Sequence, residues 1–249
     1  MKPAIEFRKV SKGFRRHAQR ILLRTVIQNL LARRNTIEQE FLALKEVSFC
    51  IEPGERVAIV GSNGAGKSTM LSLVARLVPP DRGEVCVNGR VSALLELGSG
   101  FHPDLTGAEN AKLNASLIGI TKKHFEEIYP NIVDFAEIGD FIHEPLRTYS
   151  TGMGMRLAFA VAICVDPDIL LIDEVLAVGD TAFQQKCFNR ILDFARRGKT
   201  ILCVSHSAST VRELCTRGIW LDHGDLMMDG PLAEVTDAYE GRFQAAKQT

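Results

Sequence analysis

The stretch Arg56-Val-Ala-Ile-Val60-Gly61-Ser-Asn-Gly-Ala-Gly66-Lys67-Ser68 decides the fold. A short apolar run bounded by glycine reads as a buried strand. The glycine-rich segment after it fits G-x-x-x-x-G-K-[ST]. The chemistry requires that spacing. Glycines let the backbone curl until successive N–H groups point inward at a phosphate, and the helix that starts there adds the positive end of its dipole. In such a loop Lys67 reaches the β- and γ-phosphates and the Ser68 hydroxyl ligates Mg²⁺. The nucleotide-contacting candidates are therefore Gly61, Ser62, Asn63, Gly64, Ala65, Gly66, Lys67, Ser68 and Thr69.

Outward from this loop, the helix runs from Lys67 to about Leu77, where Pro79-Pro80 stops it. Residues 3–10 and 46–51 read as strands before the loop, and Glu84 to Val87 and Val91 to Leu97 as strands around the Asn88-Gly89 turn. Residues 104–165 read as mostly helical, with breaks near Gly119, Pro130, Gly139 and Pro145. Ile169 to Ile172 and Thr200 to Ser205 are further buried strands, joined by a helix over 181–197. A hairpin turning at Gly224 and a helix over 231–246 follow. Strands alternating with helices predict an α/β fold, a P-loop NTPase with a parallel core sheet, an antiparallel β subdomain and a helical insertion. The core and β subdomain are expected over about 1–97 and 166–249, and the helical subdomain over about 98–165.

Ile169-Leu-Leu-Ile-Asp173-Glu174 places two carboxylates at the end of an apolar strand. Asp173 can hold Mg²⁺ through water, and Glu174 is placed to polarise an attacking water. The Asn-Lys-x-Asp motif that reads guanine is absent from the sequence.

Formal net charge is zero, but residues 1–34 hold ten Lys or Arg against one Glu. Such asymmetry points to an anionic surface near the N-terminus or to a solvated helix face. Between Arg15 and Glu40, Leu23, Val26, Ile27 and Leu30 repeat at helical spacing beside Arg20, Arg24 and Gln28, which predicts a basic amphipathic helix. The six cysteines form no CxxC pair or zinc spacing. Cys50, Cys86, Cys164 and Cys203 lie in apolar runs and are expected to pack as small hydrophobes. Neither a signal peptide nor a membrane-length apolar run is visible.

Three further features resemble the ATP-binding cassette (ABC) family across essentially the whole chain. Tyr149-Ser150-Thr151-Gly152-Met153 is similar to its signature motif, usually Leu-Ser-Gly-Gly-Gln; Val178-Gly179-Asp180 is similar to its D-loop; His206 resembles its switch histidine. Phe14, in Lys9-Val-Ser-Lys-Gly-Phe14, matches the aromatic that stacks on adenine, with a core phenylalanine as the alternative. The resemblance implies a head-to-tail dimer, in which each ATP lies between one copy's Gly61–Ser68 and Ser150, Thr151 and Gly152 of the other. It also implies catalytic roles for Lys67, Glu174 and His206.

The sequence departs from the usual pattern at Thr151, at Met153 and at Ala177-Val-Gly. Glu96 stands where a glutamine is usual, as a candidate Mg²⁺ contact beside Ser68 and Asp173. Leu94-Leu-Glu96-Leu-Gly-Ser-Gly-Phe101 and the stretches around Tyr149 and Asp173 resemble ATPase subunits of polysaccharide exporters, most closely the O-antigen type. That resemblance implies a separate membrane permease, a lipid-linked polysaccharide as cargo, no nucleic-acid partner and a place on the cytoplasmic face of the inner membrane. It also places the basic segment 15–40 near that permease, with Arg20, Arg24, Arg33 and Arg34 available to anionic headgroups or a pyrophosphate-linked glycan. With the sequence stopping at Thr249, no C-terminal carbohydrate-binding domain is expected. A soluble ABC ATPase or a motor for another substrate is the competing reading.

Overall fold

The computed structural model describes residues 2–15, 40–95, 97–173, 179–205 and 208–246. Two sheets organise it. The larger has six strands in the order β5-β6-β7-β3-β8-β9: β3 (Arg56–Val60), β5 (Val91–Leu94), β6 (Ile169–Asp173), β7 (Thr200–Val204), β8 (Arg217–Asp222) and β9 (Asp225–Pro231). The first five run parallel, and β9 returns antiparallel to β8 through the turn at Gly224. Parallel strands covered on both faces read as continuous apolar runs. That explains why Ile169–Ile172 and Thr200–Val204 are buried along their whole length.

The second sheet is antiparallel, in the order β2-β1-β4: β1 (Ile5–Arg15), β2 (Glu40–Ile51) and β4 (Arg82–Val87). Phe7 and Phe49 stack across it at 4.6 Å. Cys50, opposite Glu6 in the ladder, is exposed, contrary to the expectation of an apolar environment. The two-residue alternation of β2 sends Phe49 and Ile51 inward and Cys50 outward.

Between the sheets lies α1 (Lys67–Val74), with Met70, Leu71 and Val74 fully buried. A helical layer comprises α2 (Gly107–Leu117), α3 (Lys122–Ala136) and α4 (Thr151–Cys164), packed on a core that includes Ile132, Leu157 and Val161. The remaining helices are α5 (Thr181–Arg196), α6 (Ala208–Leu214) and α7 (Leu232–Ala246). Among the described residues, no helix is long and apolar enough to cross a membrane.

Three local expectations need correction. The chain does not break at Pro130: α3 runs through it. Phe125, Ile128, Ile132 and Ala136 anchor one face of the helix, while Pro130 and Glu126, whose carbonyl loses its partner, are exposed. The Asn88-Gly89 turn does not pair its flanking strands either. It carries the chain from β4 in one sheet to β5 in the other, where the Arg90 N–H donates to Asp168 Oδ2 at 2.8 Å. Third, Arg15 and Glu40 pair as ladder residues, so β2 starts at 40 rather than 46. The expected helix between them, with Arg20, Arg24, Arg33 and Arg34, lies outside the described residues. The short helix α6 has no counterpart in the sequence pattern.

Candidate functional site: a phosphate loop at the end of the central strand

The loop 61–66 leaves the C-terminal end of β3, flanked by β7 and β8. In open α/β sheets, ligands bind beyond the carboxyl ends of the strands where the strand order reverses. Two glycines are required by their surroundings. A Cβ on Gly61 would stand 2.3 Å from the Leu221 carbonyl oxygen of β8. Gly66 caps α1 at φ 110°, and its Cβ would stand 2.4 Å from the Ala43 carbonyl oxygen of β2. The loop is thus wedged between the two sheets. The turn at Gly224 completes the wedge, its N–H donating to the Ala65 carbonyl at 3.1 Å.

Lys67 opens α1, and its ammonium folds back over the loop. Nζ donates to the Gly61 carbonyl at 2.8 Å and to that of Ser62 at 3.0 Å, and the residue is only 8% exposed. The ammonium therefore stands over the same cradle where a polyphosphate would need it. Asn63, Gly64 and Ser68 are exposed around it. A cleft beside the loop is lined by Asn63, Gly64, Lys67, Ser68 and, from the antiparallel sheet, by Phe14 and Phe41.

Asp173 ends β6, two strands from β3. Its ladder partner is Val204 of β7, which pairs in turn with Ile59 of β3. Two strand spacings set Asp173 about 10 Å across the sheet from the root of the loop. Glu96, Glu174 and His206 lie outside the described residues.

Ser150 is the N-cap of α4, its Oγ accepting from the Met153 N–H at 3.2 Å. Ser150 and Thr151 are exposed, with the free N–H groups of the helix start beside them. Tyr149 fixes this end from below. Its hydroxyl donates to the Phe141 carbonyl at 2.5 Å, and the hydroxyl oxygen lies so close to Gly107 that a Cβ there would clash with it. Burial pushes the Tyr149 hydroxyl up to about 12. Asp180 caps α5 by accepting from the Phe183 N–H at 2.9 Å. That bond, reinforced by Arg156, holds its carboxyl below the usual aspartate range.

These pieces match a known family. The model of the ABC transporter family matches residues 44–177. The chain belongs to the ATP-binding cassette family. It is a nucleotide-binding ABC ATPase domain. It is 50% identical over 202 residues to the O-antigen export system ATP-binding protein RfbB of Klebsiella pneumoniae, covering 81% of this chain and 82% of that one. It is 44% identical to the teichoic acids export ATP-binding protein TagH of Listeria innocua, over 86% of this chain and 64% of that one. Among solved structures, a dimeric post-hydrolysis state of an ATP-binding cassette with ADP and Pi superposes with a TM-score of 0.70. At 22% identity, over 92% of this chain and 98% of that one, that likeness shows the shared cassette fold.

The structure places Phe14 in the cleft beside the loop 61–66. It also places Phe41 there, a residue that a helix running as far as residue 40 conceals. The run Phe41-Leu-Ala-Leu44 is apolar at every position, so no two-residue period marks it as a strand.

Proposed function

We propose that this chain is the ATP-hydrolysing subunit of an exporter that moves a lipid-linked surface polysaccharide, with O-antigen as the leading cargo, across the cytoplasmic membrane. The observation carrying the nucleotide half is the Lys67 ammonium held within the loop 61–66 at the end of β3. The cargo half rests on the extended similarity to the O-antigen and teichoic acid export proteins.

In this reading, the loop N–H groups and Lys67 bind the β- and γ-phosphates, exchanging the two neutral carbonyl acceptors of Nζ for anionic phosphate oxygens. Ser68 and Asp173 supply hard oxygen donors suited to Mg²⁺ alongside the phosphates, with Glu96 a further candidate. The ion would neutralise charge on the transferring phosphoryl group. Glu174 orients and deprotonates the attacking water, and His206 contacts the γ-phosphate. A second copy closes the site head to tail, its Ser150, Thr151 and Gly152 presenting the start of α4 to the γ-phosphate. The division into a core with β subdomain and a helical subdomain over 98–165 fits this cycle, since the two parts carry the two halves of the composite site.

The load is a separate membrane permease. An apolar cleft between α1, β5 and the helical layer is lined by Leu77, Leu95, Phe101, Leu117 and Ile118. Leu77 and Leu117 are 63% and 72% exposed, an arrangement that suits a permease helix seated from the membrane side.

In a host lacking the gene, surface polysaccharide should disappear while lipid-linked polymer accumulates inside the cell. The parent sequence should restore export, and neither Lys67→Ala nor Glu174→Gln should do so. Glu174→Gln should still bind ATP and accumulate as a dimer. Normal surface polysaccharide in the deletion strain would refute the export reading.

A further inference from the structure

Phe14 and Phe41 share one rung of the β1/β2 ladder. Cross-strand partners project from the same face of the ribbon, with Cβ atoms about 5 Å apart. Neither ring is sunk in a core: Phe14 is 44% exposed and Phe41 43%. Both line the cleft floored by Asn63, Gly64, Lys67 and Ser68. Ala43, at an irregularity of the β1/β2 ladder, lines the same cleft, and its carbonyl is the one that Gly66 approaches.

The end of the ribbon is held in position. Asp81 accepts from the Gly13 N–H at 2.7 Å and from Lys12 Nζ at 2.7 Å, and that ammonium lies 5.6 Å from the Phe14 ring centroid. Two adjacent large aromatics facing a polyphosphate cradle are covered by one kind of ligand group, a flat nucleobase attached to the phosphates.

We propose that Phe41 is a second base-contacting residue, and that Phe14 and Phe41 together form a two-ring platform selective for purine over pyrimidine nucleotides. The inference rests on the nucleotide reading of the loop. A bicyclic purine can cover both rings, whereas a single-ring pyrimidine covers one. The platform reads the face of the base and not its edge, so it treats adenine and guanine alike.

The test is calorimetric titration of the full chain, with Mg²⁺, by ATP, GTP, CTP and inorganic tripolyphosphate. Phe41→Leu keeps apolar bulk but removes the π-face; Phe41→Tyr keeps the ring. Loss of one stacking contact should weaken ATP and GTP about tenfold in Phe41→Leu. CTP should lose less, tripolyphosphate affinity should not change, and Phe41→Tyr should bind all four as the parent does. Equal weakening of tripolyphosphate would show that Phe41 only props the ribbon against the loop, and unchanged ATP affinity would show no contact at all; either result overturns the proposal. If the parent chain failed to bind ATP, the nucleotide reading itself would fall, which is a separate outcome.

Discussion

Arg156 of α4 donates from Nη2 to Oδ2 of Asp180, the cap of α5, at 2.7 Å. The same guanidinium packs 4.6 Å from the Phe183 ring centroid and reaches Glu137 at 3.3 Å, and Glu137 also receives Lys186 at 2.6 Å. The helix that begins with Ser150 and the helix that begins after Asp180 are thereby locked in register. Removing the guanidinium leaves the phosphate loop untouched but frees the two helix starts from each other. Arg156→Ala should therefore lower ATP turnover about tenfold, a barrier increase of about 1.4 kcal/mol. ATP affinity of the isolated chain should stay within about twofold of the parent. Steady-state hydrolysis and calorimetry on the same preparation separate the two quantities, and a parallel loss of affinity would contradict this account.

Gly66 sits at φ 110°, in the left-handed region, against the Ala43 carbonyl. An alanine there bears a backbone penalty of roughly 1–2 kcal/mol. Its Cβ also forces β2 away from the loop. Gly66→Ala should lower the unfolding midpoint and abolish nucleotide binding together, as measured by thermal melts with and without ATP. At Gly64, no described atom lies within 4 Å of the place a Cβ would take. Alanine should be better tolerated there in the melt without ATP, although the φ of 80° still carries strain.

Alkaline stability should report on Tyr149. Its neutral hydroxyl is the buried form, so the folded value near 12 lies above the ordinary 10.0. The unfolded chain ionises first. The contribution is intact below pH 10 and is lost as pH climbs from 10 towards 12. Urea midpoints measured from pH 9 to 11.5 should fall less steeply in Tyr149→Phe than in the parent. Tyr129 and Tyr239 are raised by burial in the same direction, so the slope shrinks without vanishing. The variant should also lose about 0.5–1.5 kcal/mol at neutral pH, the net worth of one hydrogen bond.

Acid should loosen the aromatic ribbon before it unfolds the core. The Gly13 N–H, followed by Lys12, holds the Asp81 carboxyl below its ordinary 3.8. A depressed carboxylate stabilises the fold above its unfolded value, and that stabilisation disappears as pH falls through the lower folded value. Amide exchange at Gly13 and Phe14 should therefore accelerate relative to the central strands as pH falls below about 4. Asp81→Asn should show the faster relative exchange already at pH 7.

The parts of this fold that are legible in the sequence are those governed by local backbone chemistry. The loop at Gly61–Ser68 is readable because its glycines serve a conformation that few other residues adopt. Asp173 is readable because a carboxylate at the end of Ile169–Ile172 stands out against the apolar run. What stays hidden depends on partners remote in sequence. Nothing around Asn88-Gly89 says that β4 pairs with β1, some eighty residues earlier, while β5 pairs with β6 after the whole helical layer. Pro130 misleads because its cost is real but is outweighed by four buried side chains on the opposite face of α3. Phe41 is obscured because the helical spacing of Leu23 to Leu30 leads into a polar stretch, and the run Phe41-Leu-Ala-Leu44 after it is apolar throughout, without the two-residue period of a strand.

The final rung of the β1/β2 ladder, Arg15 opposite Glu40, brings the two ends of the 16–39 segment side by side. Loop closure entropy grows only with the logarithm of length, about 0.6 kcal/mol for each doubling. Because the flanking strands fix both stems, this position can accept inserts of very different size and chemistry at nearly constant stability. It is a natural grafting point, where one nucleotide-driven engine can be fitted with interchangeable attachments without rebuilding the engine.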